Sequence, residues 1–99
     1  MAAVSGTYSA HATLSSTTVD TVTLSTDDLQ GVEVVNRSGA TTIYFRCDGT
    51  AAVAAANGTF AVLAGQSLYV PLGGGLGSAS TVVSIIGDGN AYSVHGVGR

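Results

Sequence analysis

The sequence predicts an all-β domain: an antiparallel β-sandwich, or a small barrel, of about seven or eight short strands with an extended N-terminal arm. Three observations predict it. Short runs rich in β-branched residues alternate apolar with polar side chains. Turn-forming residues separate these runs at intervals of about 8 to 12 residues. The length of 99 residues suits one domain, and we expect little beyond it.

The N-terminal segment differs in composition from the rest of the chain. Residues 1–18 are rich in alanine, serine and threonine and show no clean periodicity. We therefore expect an extended arm with one edge strand around Tyr8, either disordered alone or laid along a neighbouring subunit. The β-domain itself is expected to span residues 19–99.

The first strand pattern begins directly after this arm. The run 19–24 is rich in β-branched residues and sets Val22 and Leu24 on one face, because side chains two apart in a strand point the same way. Asp27-Asp28 then indicates a turn.

The strongest pattern combines two runs, 31–36 and 41–47, separated by the turn-forming residues Asn36-Arg37-Ser38-Gly39. In the first run Val32 and Val34 lie opposite Glu33. In the second run the two faces are Ile43, Phe45 and Cys47 on the apolar side and Thr42, Tyr44 and Arg46 on the polar side. We expect these runs to form a hairpin that ends at Asp48-Gly49.

Two strands and two loops follow. Residues 50–57 are rich in alanine but too few for an isolated helix, so we expect a loop or a single turn. The runs 59–63 and 67–72 flank a turn at Ala64-Gly65-Gln66. Pro71 lacks an amide donor and belongs at a strand end or a sheet edge.

The last part of the chain contains a loop and a second predicted hairpin. The glycine-rich residues 73–78 indicate a flexible loop. The runs 81–86 and 91–97 read as strands, and Asp88-Gly89-Asn90 between them has the composition of a hairpin turn.

The surface is unusual because it contains few charges. Charged residues make up 9% of the chain, against about 25% in typical soluble domains, and there is no lysine. Hydroxyl and glycine surface costs less to desolvate than charged surface, and strand edges without lysine are weakly protected against pairing. We expect a subunit covered by neighbours in an assembly, present in many copies or as a homo-oligomer. The alternative is a monomer that hydroxyl groups keep soluble.

Charge and hydropathy exclude two classes of partner. The net charge is −3 and the three cations are dispersed, so we expect no direct contact with nucleic acid. No apolar run approaches the length of a membrane helix, so we expect no membrane partner.

No pattern of chemical residues indicates catalysis. His11 and His95 are the available bases, one in the arm and one at an outward position of the last strand. The histidines and Cys47 have no zinc-site spacing, and the glycine-rich loop lacks the lysine and following helix of a phosphate site. We therefore expect no enzyme activity, no cofactor and no metal.

Aromatic residues are the best candidates for partner contacts. Tyrosines at outward strand positions combine apolar area with a hydroxyl and commonly anchor interfaces. Tyr44 and Arg46 share one strand face and form the predicted contact patch, and Tyr8 and Tyr69 are further candidates. The alternative is that these are ordinary residues covering a sheet.

From about residue 29 to residue 97 the chain resembles small virion proteins of tailed bacteriophages. Four segments carry the resemblance: Val34-Val35-Asn36-Arg37-Ser38-Gly39, Ile43-Tyr44-Phe45-Arg46-Cys47-Asp48-Gly49, Ala64-Gly65-Gln66-Ser67 and Ala91-Tyr92-Ser93-Val94. Such proteins are β-sandwiches that decorate or cement capsids or sit on tails. The arm before residue 19 lies outside the resemblance.

The resemblance and the neutral surface together predict a capsid decoration or cement subunit. Its partners would be the major capsid protein or other virion proteins, and its location the virion, assembled in the host cytoplasm. Two alternatives stay open: a host-recognition or carbohydrate-binding module on a tail or fibre, and a tail-tube or head–tail connector subunit.

Overall fold

Alternating apolar and polar runs form nine β-strands in a computed structural model that describes residues 2–25, 30–47, 51–54, 57–71 and 81–97. The strands are β1 (Ala2–Gly6), β2 (Ser9–Thr13), β3 (Asp20–Leu24), β4 (Gly31–Asn36), β5 (Ile43–Arg46), β6 (Phe60–Val62), β7 (Ser67–Pro71), β8 (Thr81–Ile86) and β9 (Ala91–Val97). Within these ranges, no helix is long and apolar enough to cross a membrane.

The strands pair into two sheets that face each other. One sheet has five strands in the order β1-β3-β8-β5-β6, and the other has four in the order β2-β9-β4-β7. Every neighbouring pair is antiparallel except β1 and β3, which are parallel. The predicted all-β sandwich is therefore confirmed, with two separate sheets rather than a closed barrel.

The core consists of the inward-facing side chains of both sheets. The alternation predicted for the runs that form β3, β4 and β5 is confirmed. Their inward apolar residues are buried, and the residues between them are more exposed. Burying each such side chain contributes about 1.5–3 kcal/mol. The buried core residues are Ala10, Leu14, Val22, Leu24, Val32, Val34, Ile43, Phe45, Val62, Val83, Ile85, Tyr92 and Val94.

The N-terminal segment is part of the sandwich, and in this the structure differs from the expected arm with a single edge strand. β1 pairs with β3 along the edge of the five-stranded sheet, and β2 pairs with β9 along the edge of the four-stranded sheet. Ala10 and Leu14 are buried in the core. The segment escaped prediction because most residues of β1 and β2 are alanine, serine or glycine, so their alternation is weak.

The two predicted hairpins are wrong. β4 lies in the four-stranded sheet and β5 in the five-stranded sheet, and β8 and β9 are divided between the sheets in the same way. Both turns therefore lead the chain from one sheet to the other. Hairpins and such crossings use the same turn-forming residues, and the choice depends on which distant strands offer pairing.

Two buried asparagines link these crossings at one end of the sandwich. The Asn90 side-chain amide (Nδ2) donates hydrogen bonds to the Asn36 side-chain oxygen at 3.2 Å and to the Thr41 carbonyl at 2.9 Å. The Asn36 amide donates to the Thr41 and Val62 carbonyls at 2.7 and 3.0 Å. Both asparagines are 1% exposed, so their polar atoms depend on these partners. We call this group the asparagine corner.

The second crossing needs a glycine. Gly89 has φ +70°, a left-handed conformation that a side chain disfavours, and its amide donates to the Ser16 carbonyl at 2.9 Å. The Asn90 side-chain oxygen accepts from the Asp88 amide at 2.7 Å, which holds the turn against the corner.

The link between β6 and β7 matches the predicted turn at residues 64–66. Gly65 has φ +72°, and the Gln66 amide donates to the Leu63 carbonyl at 2.9 Å. β7 is an edge strand and Pro71 is its last residue, as the missing amide of proline requires.

Several predicted features lie outside the described residues. They are the turn at Asp27-Asp28, the strand end at Asp48-Gly49, parts of the 50–57 loop and the glycine-rich loop at 73–78.

Replacing either corner asparagine with alanine should lower the free energy of unfolding by about 1–3 kcal/mol, because buried partners lose their hydrogen bonds. Urea denaturation of Asn36→Ala and Asn90→Ala measures this loss. Asn57→Ala is the matched control, because Asn57 is exposed and the bond from Arg46 goes to its main-chain carbonyl, which the substitution retains. Equal stability of all three variants would contradict the role of the corner.

Deleting residues 1–18 should prevent the domain from folding, because it removes two strands and the buried Leu14. The point variant Leu14→Ala should cost about 2–5 kcal/mol. Thr13→Ala, at the exposed neighbouring position, should change stability by less than about 0.5 kcal/mol. Circular dichroism during thermal unfolding tests all three, and a folded truncated domain would show that the segment is dispensable.

Candidate functional site

The four predicted contact residues lie on three different parts of the surface. Tyr44 and Arg46 project side by side from β5 on the outer face of the five-stranded sheet, and both are partly buried. Tyr69 projects from β7 on the outer face of the four-stranded sheet and is 45% exposed. Tyr8 is 62% exposed at the link between β1 and β2. The structure therefore keeps the Tyr44–Arg46 patch together and separates it from the other two tyrosines.

The outer face of the five-stranded sheet is nearly neutral. Strand register places one row of outward side chains on it from each strand. Among the described residues of this face, Arg46 alone carries a charge. The outward residues, which we call the neutral face, are Ala3, Ser5, Thr21, Thr23, Tyr44, Arg46, Ala61, Val82, Ser84 and Ile86.

Part of the link between β5 and β6 crosses this face. The Ala52 amide donates to the Ser84 hydroxyl at 2.9 Å, and both residues are buried. The Arg46 guanidinium reaches the Asn57 carbonyl at 3.5 Å and lies against Gly58. The single charge of the face is thus held by the link, whereas Ala3, Ser5 and Val82 on β1 and β8 stay exposed within the described structure.

The outer face of the four-stranded sheet has a different character, because it contains the ionisable side chains His11, His95 and Glu33. His11 on β2 lies opposite Ser93 on β9, and its Nδ1 atom is 2.7 Å from the Ser93 hydroxyl. His95 lies opposite Glu33 on β4, with Nδ1 3.5 Å from a carboxylate oxygen. The two imidazole rings are edge to face, with centroids 5.7 Å apart.

Tyr69 completes the row formed by Glu33 and His95. It lies opposite Glu33 across the β4–β7 pair, and its ring covers Gly31, where any side chain would collide with the ring. The absence of a side chain at Gly31 therefore makes room for the Tyr69 ring.

Sequence reasoning missed the histidine pair. His11 was expected in an unfixed arm and His95 on a separate strand face, and no spacing signal connects residues so far apart in the chain. Only the β2–β9 pairing brings them together. The pair does not match a Ser-His-Asp triad, because the carboxylate contacts His95 while the serine contacts His11, and Ser93 is only 4% exposed. Across the described residues, no group of three or more metal-ligating side chains is arranged around a common point.

One tyrosine belongs to the interior rather than to a surface site. Tyr92 is fully buried on β9 and donates from its hydroxyl to a carboxylate oxygen of Asp20 on β3, at 2.8 Å. Burial raises the pKa of Tyr92 well above its ordinary value, and the hydrogen bond and negative charge of Asp20 raise it further. This bond joins the two sheets near the asparagine corner.

Comparison with known proteins assigns no family: no protein-family model matches the chain, and no curated protein matches it.

Replacing Tyr92 with phenylalanine should lower the free energy of unfolding by about 1–3 kcal/mol, because the buried Asp20 carboxylate loses its partner. Tyr8→Phe, at an exposed position, should change it by less than about 0.5 kcal/mol. Urea denaturation at neutral pH compares the variants, and equal losses would contradict the assignment.

The same bond should make the domain sensitive to alkali. The folded-state pKa of Tyr92 is raised, so its contribution is complete below the pKa of tyrosine in the unfolded chain, about 10, and is lost as pH rises above it. Unfolding measured from pH 8 to 11 should therefore show a steeper loss for the wild type than for Tyr92→Phe. Parallel curves would contradict the prediction.

Proposed function

We propose that this protein is a structural subunit of a tailed-phage particle, a capsid decoration or cement protein that binds coat proteins through its neutral face. The observation that carries the proposal is the near absence of charge on that face. The resemblance of residues 29–97 to small virion proteins supports the same function.

Desolvation explains why a neutral face suits a permanent contact. Burying an unpaired charge costs several kcal/mol, whereas a hydroxyl that finds a hydrogen-bond partner costs little. Thr21, Thr23 and Ser5 offer such hydroxyls, and Val82 at 38% exposure offers apolar area. A partner that covers the β1-β3-β8 half would bury these groups without burying an unpaired charge.

Tyr44 gives the face an anchor. It lies opposite Ile86 in the β5–β8 pair, so an aromatic ring and an aliphatic side chain adjoin on the surface. Tyrosine is enriched at the core of protein interfaces and among the residues that contribute most to binding. Tyr69 and Tyr8 lie elsewhere, so the described tyrosines do not form the shared aromatic platform that a glycan-binding module would use.

Introducing a charge into the neutral face should abolish binding to particles. Thr21→Lys and Val82→Lys each place an ammonium group where the coat protein would exclude water, and this costs more than the lost hydroxyl or methyl contacts. Co-sedimentation of the purified chain with capsid shells of the phage that encodes it measures binding. We expect wild type in the pellet at a regular copy number and both variants in the supernatant.

Ser67→Lys is the matched control, because Ser67 is an exposed strand residue on the opposite sheet and should leave binding unchanged. Wild type that stays in the supernatant would overturn the proposal. If only Ser67→Lys lost binding, the contact with the coat protein would lie on the four-stranded sheet instead. If the chain binds glycans but not capsid shells, the host-recognition alternative is favoured. If it forms ring-shaped oligomers, the connector alternative is favoured.

A further inference from the structure

We propose that His11 and His95 form a two-imidazole binding site for a borderline divalent transition-metal ion such as Zn²⁺ or Ni²⁺. This inference is independent of the proposed particle-binding function, because the site lies on the four-stranded sheet, away from the neutral face. It rests on the geometry of the pair and on the groups that orient each ring.

Strand pairing fixes where the two rings are attached. His11 faces Ser93 and His95 faces Ser9 across the antiparallel β2–β9 pair, so the histidines are diagonal neighbours on one sheet face. The two strands pair without a break over the whole of β2, and β9 lies inside its sheet, between β2 and β4. A rigid sheet therefore presents the two side chains, which a loop would hold less well.

The distance between the rings suits a shared ion. A zinc ion lies about 2.0–2.1 Å from each ligating nitrogen, which places the ring centroids of two tetrahedrally arranged imidazoles about 5 Å apart. The observed centroids are 5.7 Å apart. Because His11 is exposed, closing this difference requires no repacking of the core.

The Nδ1 atom of each ring has an oxygen partner. Nε2 is therefore the nitrogen on each ring that would bind the ion. The Ser93 hydroxyl is 2.7 Å from Nδ1 of His11, and the Glu33 carboxylate is 3.5 Å from Nδ1 of His95. Metal-binding histidines commonly donate their second N–H to an oxygen, which fixes the tautomer and the ring direction. In the tautomers with the proton on Nδ1, Nε2 is the nitrogen of each ring that carries a lone pair for a metal ion.

The chemistry of the donors selects the class of ion. Imidazole nitrogen suits zinc, nickel and copper, whereas magnesium and calcium prefer oxygen ligands. The chain supplies two ligands, so water would complete the coordination of a bound ion, and its affinity would be lower than that of a closed four-ligand site.

Calorimetric titration of the full chain with ZnCl₂ tests the proposal. The protein must carry no histidine tag, because the chain has two histidines and a tag would add zinc ligands of the same kind. We expect one ion per chain, and no binding of Mg²⁺. His11→Ala and His95→Ala should each remove saturable zinc binding. Both side chains are exposed enough that the variants should fold, and His11→Gln and His95→Gln provide second variants if the alanine forms do not.

Ser93 acts as a positioning residue in this proposal. Ser93→Ala should weaken zinc binding by about tenfold, within the range for lost partners of ligating histidines. Ser93→Thr retains the hydroxyl and should restore the affinity, which a merely structural role would not predict.

Cys47→Ser is the control for the other soft ligand and should leave zinc binding unchanged. Proton NMR of the two imidazoles should show both sets of resonances shifting with the same midpoint. Absence of saturable binding, a shift of only one ring, or binding that persists in both histidine variants would overturn the proposal.

Discussion

The hydrogen bond between Asn90 and Asn36 is the constraint on which the arrangement of the two sheets depends. The chain leaves one sheet for the other directly beside each of these residues, so their side chains hold both crossings at one point. The Thr41 carbonyl accepts from both amides and joins the start of β5 to the same network. Because the group is buried and neutral, its hydrogen bonds gain strength without the cost of burying charge.

The bond from Tyr92 to Asp20 extends this polar core into the sandwich. It links β9 to β3, near the same end as the asparagine corner, so that end is joined by hydrogen bonds as well as by packing. The rest of the described interior is almost wholly aliphatic. Specific polar contacts at this end therefore add to the apolar packing that holds the two sheets together.

Local sequence was enough to predict which way most side chains point. Val22, Val34 and Phe45 face inward because a period of two leaves no alternative once one face is apolar. Local sequence could not predict strand partners, since Asn36-Arg37-Ser38-Gly39 suits a hairpin and a crossing equally well. It also missed β1 and β2, because these strands consist mostly of alanine and serine and their two faces therefore differ little in hydropathy.

The candidate sites show the same division between local and distant information. Tyr44 and Arg46 are two residues apart, and their shared face follows from that spacing. The meeting of His11 with His95 depends on β2 lying beside β9, a pairing between opposite ends of the chain that no local pattern encodes. Strand order also explains why one sheet presents a nearly neutral surface while the other presents His11, Glu33 and His95.

The place of β9 in the four-stranded sheet has a consequence for how the protein folds during synthesis. β9 is the last described strand, yet it lies between β2 and β4 and pairs with both. Until residue 97 has left the ribosome, β2 has no partner and β4 has only β7. Contacts between distant residues form slowly because a long loop must close first. The nascent chain therefore exposes apolar strands until β9 inserts, and the four-stranded sheet is completed only after translation has passed β9.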